Sequence, residues 1–99
     1  MQEEILLRTD DVSATILDLA ADEEVPWHYH SEITDHIICL VGTIEVSQRS
    51  PEVVSKLQPG QRCTVANGSI HRVKNVGGAA AKYLIVQGVG KYDRVMDDA

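Results

Sequence analysis

Turn-forming residues punctuate this chain at short, regular intervals, and no long amphipathic helical pattern runs between them. The segments they separate are short, apolar or alternating, and rich in Val and Ile. Glu3 to Arg8 holds the apolar run Ile5-Leu6-Leu7, and Thr9-Asp10-Asp11 turns the chain. Val12 to Ala20 is apolar enough on both faces to be a covered strand. Pro26 suits a strand start or edge, and Trp27 to His30 reads as the next strand. Asp35 to Val41, Ile44 to Ser47 and Val53 to Leu57 follow, with Gly42-Thr43 and the turn around Pro51 between them. Gln61 to Ala66, Ile70 to Asn75 and Ala80 to Gly88 complete the set, separated by Asn67-Gly68 and Gly77-Gly78. The acidic tail from Asp93 to Ala99 is expected to fray. About eight short strands with no long amphipathic helix predict an all-β sandwich or barrel.

At 99 residues the chain makes one domain, spanning 1–99. With one Trp, three Tyr and no Phe, its core must be aliphatic. In Asp35 to Val41, residues 35, 37, 39 and 41 share one face and Ile38 and Leu40 the other. Both faces are apolar, yet a small barrel has a single inside. The outer face therefore wants a partner, and a homodimer is expected, with Ile5-Leu6-Leu7 adding to the seam. A formal net charge of -6 and a pI near 5.0 argue against nucleic acid and against an anionic membrane surface. No signal-peptide pattern opens the chain and no apolar run is long enough to span a bilayer, so a cytoplasmic protein is the expectation. Cys39 and Cys63 are too few for a disulfide scaffold and read as buried thiols.

The chemistry sits in the histidines, at 28, 30, 36 and 71. His28 and His30 lie two apart on one strand, so their rings project the same way, about 6.6 Å apart along the chain. Two such imidazoles can tilt toward one metal ion at roughly 2.1 Å. His71, from another strand, would complete a face of the coordination sphere. Taken singly, each is an ordinary solvated or core residue; an H-x-H pair answered by a distant third is what points to a metal.

Two motifs in register carry a resemblance to the cupins. The first cupin motif runs G-x5-H-x-H-x3,4-E-x6-G, and this chain has His28-x-His30-x4-Asp35-x6-Gly42, with Asp22 at the opening glycine. The second runs G-x5-P-x-G-x2-H-x3-N, and this chain has Gly60-x5-Ala66-x-Gly68-x2-His71-x3-Asn75, with alanine at the proline. Motif 1 thus covers about 22–42 and motif 2 about 60–75. The resemblance implies a double-stranded β-helix, or jelly-roll barrel, with His28, His30, Asp35 and His71 as metal ligands. Asp35 stands one methylene short of the family's glutamate. It could bind directly, through water, or not at all. His36 is a rival whose strand parity ranks it behind. Apolar walls from Ile37, Cys39, Cys63, Val65 and Val73 would limit water around the ion, and Asn75 reads as a strand-end hydrogen bonder.

One divalent transition metal per chain is implied, its identity open among Fe, Mn, Ni, Cu, Co and Zn. The functions implied are a dioxygenase-like or isomerase-like enzyme acting on a small oxygenated molecule, or a non-catalytic module that binds a small ligand or a metal. Trp27 and Tyr29, opposite in parity to the histidines, read as outer-surface packing, and Arg62 as solvent-facing. Tyr83 and Tyr92 carry no signal above ordinary packing.

Overall fold

The computed structural model describes residues 1–97, which form strands and turns with no helix. The strands are β1 (Gln2–Arg8), β2 (Val12–Leu19), β3 (Glu24–Tyr29), β4 (Thr34–Val41), β5 (Ile44–Gln48), β6 (Val53–Leu57), β7 (Arg62–Val65), β8 (His71–Asn75), β9 (Ala81–Gly88) and β10 (Val95–Met96). They pair antiparallel into two five-stranded sheets, ordered β1-β2-β9-β4-β7 and β10-β3-β8-β5-β6. This is the double-stranded β-helix. Strands close in sequence alternate between sheets, so each sheet is assembled mainly from non-local pairs.

Alternation decides which side chains go inside. On β2, Thr15, Leu17 and Leu19 are buried while Ile16 and Asp18 between them are not. The core joins Leu17, Leu19, Ile37, Cys39, Tyr83 and Ile85 of one sheet to Val25, Ile44, Val46 and Val73 of the other. Each fully buried aliphatic side chain contributes about 1.5–3 kcal/mol relative to exposure. Asn75, also fully buried, staples the lower end. Its Nδ2 donates to the carbonyls of Leu19, Ala20 and Ala79, and its Oδ1 accepts from the Gly77 amide. The strand-end role read for it is what the structure shows.

Three expectations change. The strand expected from Trp27 begins at Glu24, and its pairing with β8 shifts register between Val25 and His28. That bulge sends both Val25 and His28 inward although they are three apart, and it takes up the proline whose missing N–H would otherwise break the ladder. Val41 leaves the inner face it was expected to share with 35, 37 and 39, because the pairing with β9 slips between Cys39 and Val41. The C-terminal segment, expected to fray, docks instead: β10 pairs Val95 with Tyr29 and Met96 with His28, and Arg49 pairs with Asp97. Residues 98–99 of that tail lie outside the described residues. On the outer surface Ile5, Leu6 and Leu7 are about half exposed, and Leu40 is 40% exposed. Among the described residues no helix is long and apolar enough to cross a membrane.

Candidate metal centre

Three histidines of one sheet meet a carboxylate of the other at one end of the barrel. His28 and His71 face each other across the β3–β8 ladder, and His30 follows at the end of β3. Asp35 projects from β4 in the opposite sheet. The Gly68 amide donates to the His30 carbonyl at 2.7 Å, tying the turn before His71 to the strand that carries its partners. Gly68 has φ +80, a conformation cheap only for glycine, which is why the motif places it there. One donor atom from each of His28, His30, Asp35 and His71 lies within 4.8 Å of the others, and all four residues are at least 95% buried. The ring centroids are 4.3 to 5.5 Å apart and the planes are steeply inclined, so the rings converge by their edges and do not stack.

The hydrogen bonds set which edge. Each Nδ1 is close to a backbone carbonyl: His28 to Pro26 O at 2.7 Å, His30 to Asp93 O at 2.5 Å, His71 to Ser69 O at 2.8 Å. A carbonyl only accepts, so each Nδ1 carries the proton. In the neutral ring each Nε2 is then a lone pair turned inward. Those lone pairs meet the Asp35 carboxylate, whose Oδ2 is 3.1 Å from His71 Nε2 and 3.3 Å from His30 Nε2. The His30 contact is out of line for a hydrogen bond and leaves its buried Nε2 without a donor or acceptor partner. Lone pairs aimed at a carboxylate repel unless a cation, a proton or a metal ion, stands between them. Three imidazole nitrogens and one carboxylate oxygen, their outer atoms fixed by the fold, are a donor set that fits a transition metal.

In the metal-free protein a proton on His30 can fill the place of that cation. Burial pushes the His28 imidazole down to about 4, against its bond to Pro26 O and helped by His71, Arg94 and His30, so it is neutral at physiological pH. Burial also opposes a charge on His30, but Asp35 and Asp93 outweigh it and raise that ring above its ordinary value. Burial favours a neutral Asp35, yet His30, His71 and Gln87 hold its carboxyl well below the usual range. Gln87, opposite Asp35 on β9, donates from Nε2 to Asp35 Oδ1 at 3.0 Å, leaving Oδ2 to the histidines.

Asp35 therefore reaches the cluster despite its shorter side chain. His36 does not: it is exposed on the outer face, its Nδ1 3.1 Å from Thr64 Oγ1. A cavity of about 420 Å³ opens over the cluster. Of the walls expected, only Val73 lines it. Ile37, Cys39, Cys63 and Val65 lie to the β4–β7 side, whereas the cavity is lined from β2 and β9, whose Ile85 and Tyr83 pair with Ile37 and Cys39. The walls are instead Leu17, Val25, Ile33 and Ile85, with Thr15, Tyr83, Gln87, Tyr92, Arg8 and Arg94 adding polar groups. Tyr83, Tyr92 and Gln87 were not recognisable from sequence. Only the β4–β9 register and the path of the C-terminal segment bring them to the cavity. Trp27 lies outside, its ring 4.1 and 4.9 Å from the Arg49 and Arg72 guanidinium carbons, and Arg62 is exposed. The thiols are free, and burial and Asp35 push Cys63 up to about 11, so neither is a thiolate near neutral pH.

This fold and this site define a class: a jelly-roll barrel with a histidine and carboxylate cluster at its open end. The chain belongs to the cupin family, whose model, described as Cupin domain, matches residues 15–87. No curated protein sequence matches. Among solved structures it is similar to an uncharacterised double-stranded β-helix protein from Klebsiella pneumoniae (20% identity, 96% of this chain and 77% of that one, TM-score 0.83). It is also similar to the polyketide cyclase RemF from Streptomyces resistomycificus (17% identity, 98% and 70%, TM-score 0.82). An oxalate oxidase aligns at 20% identity over 87% of this chain, which spans 46% of the oxidase (TM-score 0.79).

Proposed function

We propose that His28, His30 and His71, through Nε2, and Asp35, through Oδ2, hold one divalent transition metal. The centre would serve an oxygenase-like or isomerase-like reaction on a small oxygenated organic molecule. The observation that carries this is the set of three Nδ1–H groups tied to backbone carbonyls, which turns three lone pairs onto one buried carboxylate beneath an open cavity. A bound ion would supply Lewis-acid or redox chemistry. The chain supplies the rest. Gln87 orients Asp35, and Ile33, Val25 and Ile85 exclude water. Tyr83 and Tyr92, both raised by burial, stay neutral phenols beside the site. Two of the similar structures are named as enzymes, an oxalate oxidase and a polyketide cyclase, which supports catalysis as the first reading.

The second reading, a module that binds a small ligand without turnover, is favoured by the same cavity. Elemental analysis of protein purified without a metal-binding tag tests the centre: near one transition metal per chain is expected, and substoichiometric content across all of them overturns the ligand set. O2-uptake and isomerisation assays on small oxygenated substrates then separate the readings. Turnover lost in a folded His71→Ala variant is expected of the enzyme. Ligand-induced stabilisation without turnover, for any metal loaded, marks the binding module. We propose in addition that the chain pairs as a homodimer through its exposed Ile5-Leu6-Leu7 strand and the outer face of β4.

A further inference from the structure

Two of the three clustered imidazoles are aimed by their own strands, and the third is not. His28 and His71 each donate from Nδ1 to the carbonyl two residues earlier, Pro26 O and Ser69 O. His30 takes its acceptor from the other end of the chain, the carbonyl of Asp93 at 2.5 Å. Asp93 sits in the segment that leads from β9 to β10 across the mouth of the cavity, which Gly90, Tyr92 and Arg94 line. Its carboxylate grips the residue next to His30. Oδ1 accepts from the Ser31 amide at 2.8 Å and Oδ2 from the Ser31 hydroxyl at 2.6 Å. One residue thus holds both the His30 ring and the chain just after it. The rest of the strap is held mainly by polar contacts, among them the Arg49–Asp97 ion pair, the Asp97 amide donating to Trp27 O and the Lys91 amide donating to Glu32 Oε1. The Gly90 amide donates to Asp11 O at 3.1 Å, β10 adds a two-residue ladder, and Val95 and Met96 remain 36% and 44% exposed. A segment with so little apolar burial opens at far lower cost than the barrel beneath it.

We infer that Asp93 is a positioning residue for the metal centre. The closed strap, 89–97, fixes His30 as the Nδ1–H tautomer and presents its Nε2, so the third imidazole is in place only while the mouth is covered. This rests on the metal reading above. By thermodynamic reciprocity, metal bound at the centre must favour the closed strap as much as the closed strap favours metal.

Long-range 1H–15N NMR of the metal-free protein at alkaline pH reads the tautomer of each histidine separately. In the wild type all three rings are expected as Nδ1–H. Asp93→Ala should move His30 alone toward a tautomer mixture, with His28 and His71 unchanged. Asp93→Asn, which keeps an acceptor for the Ser31 amide, should restore most of the wild-type signal. An unchanged His30 in Asp93→Ala overturns the inference. In parallel, Zn2+ titration should show affinity about 10-fold weaker in Asp93→Ala, which keeps the carbonyl but loses the carboxylate grip on Ser31 that holds it against His30, at the low end of the range for partners that orient a ligand. Zn2+ should also slow hydrogen exchange at the Gly90, Lys91 and Asp97 amides. Wild-type binding with unaltered exchange there, and equal affinity in the variant, overturns the coupling. Absence of Zn2+ binding in the wild type overturns the metal reading instead, and the tautomer measurement still decides the role of Asp93.

Discussion

A neutral imidazole whose Nδ1 is tied to a carbonyl has one thing left to offer, the lone pair on Nε2. Three such rings around one carboxylate are electrostatically frustrated without a cation, which makes the cluster sensitive to single substitutions. His30→Ala is expected to abolish stoichiometric metal retention, read by elemental analysis. Asp35→Ala should weaken retention less, because three nitrogen donors remain. Equal loss would show the carboxylate to be a full ligand. The same residues set a pH dependence in the metal-free protein. His28 takes up a proton near 6.5 when unfolded and only near 4 when folded. Between those values the unfolded chain holds more protons, so stability falls as pH drops from about 6.5 to 4. His30 has the opposite sign: its raised value adds stability below 6.5 that is lost as pH rises through the folded value. Denaturant titrations with chelator present should show the acid-side loss in wild type and its disappearance in His28→Gln.

Strands and turns carry their own consequences. Asp22 occupies the first cupin motif's opening glycine position and adopts φ +62, the left-handed region that glycine enters freely. An Asp there is tolerated at a cost of about 1 kcal/mol. Asp22→Gly is therefore expected to raise stability by about 0.5–1 kcal/mol in urea denaturation. Gly42, the motif's closing glycine, has no such freedom to change. It has φ +77, and a Cβ would meet the Ala80 carbonyl oxygen and Ala81 Cβ at 3.0 Å. Gly42→Ala should cost about 1–3 kcal/mol by the same measurement. The two positions carry the same conformational demand with different residues, one relaxed and one strained.

At the scale of the molecule, the barrel leaves an apolar strand uncovered. Ile5, Leu6 and Leu7 are 47%, 52% and 51% exposed on a sheet edge. Light scattering should give a dimer mass for the wild type and a monomer mass for Leu6→Glu; a wild type that is monomeric at high concentration removes the proposed pairing. The all-β class and the succession of short strands along the chain were legible because a period of two and a turn residue are local signals. The His28, His30 and His71 grouping was legible because the motif encodes strand parity. Gln87, Tyr83, Tyr92 and Asp93 were not, since what brings them to the site is which strand pairs with which, and in what register.

Local chemistry along the chain therefore determined the strands, the glycine turns and the three imidazoles that share a side. Tertiary structure alone decided that Asp35, ranked ahead of His36 by parity, reaches them despite its shorter side chain, that the apolar walls of the cavity include β2 and β9 and not β4 or β7, and that a carbonyl from the far end of the chain aims His30. The reason is one of range. Alternation and turn preference act over a few residues, whereas the aim of His30 depends on a contact spanning 63 positions, which local sequence cannot specify.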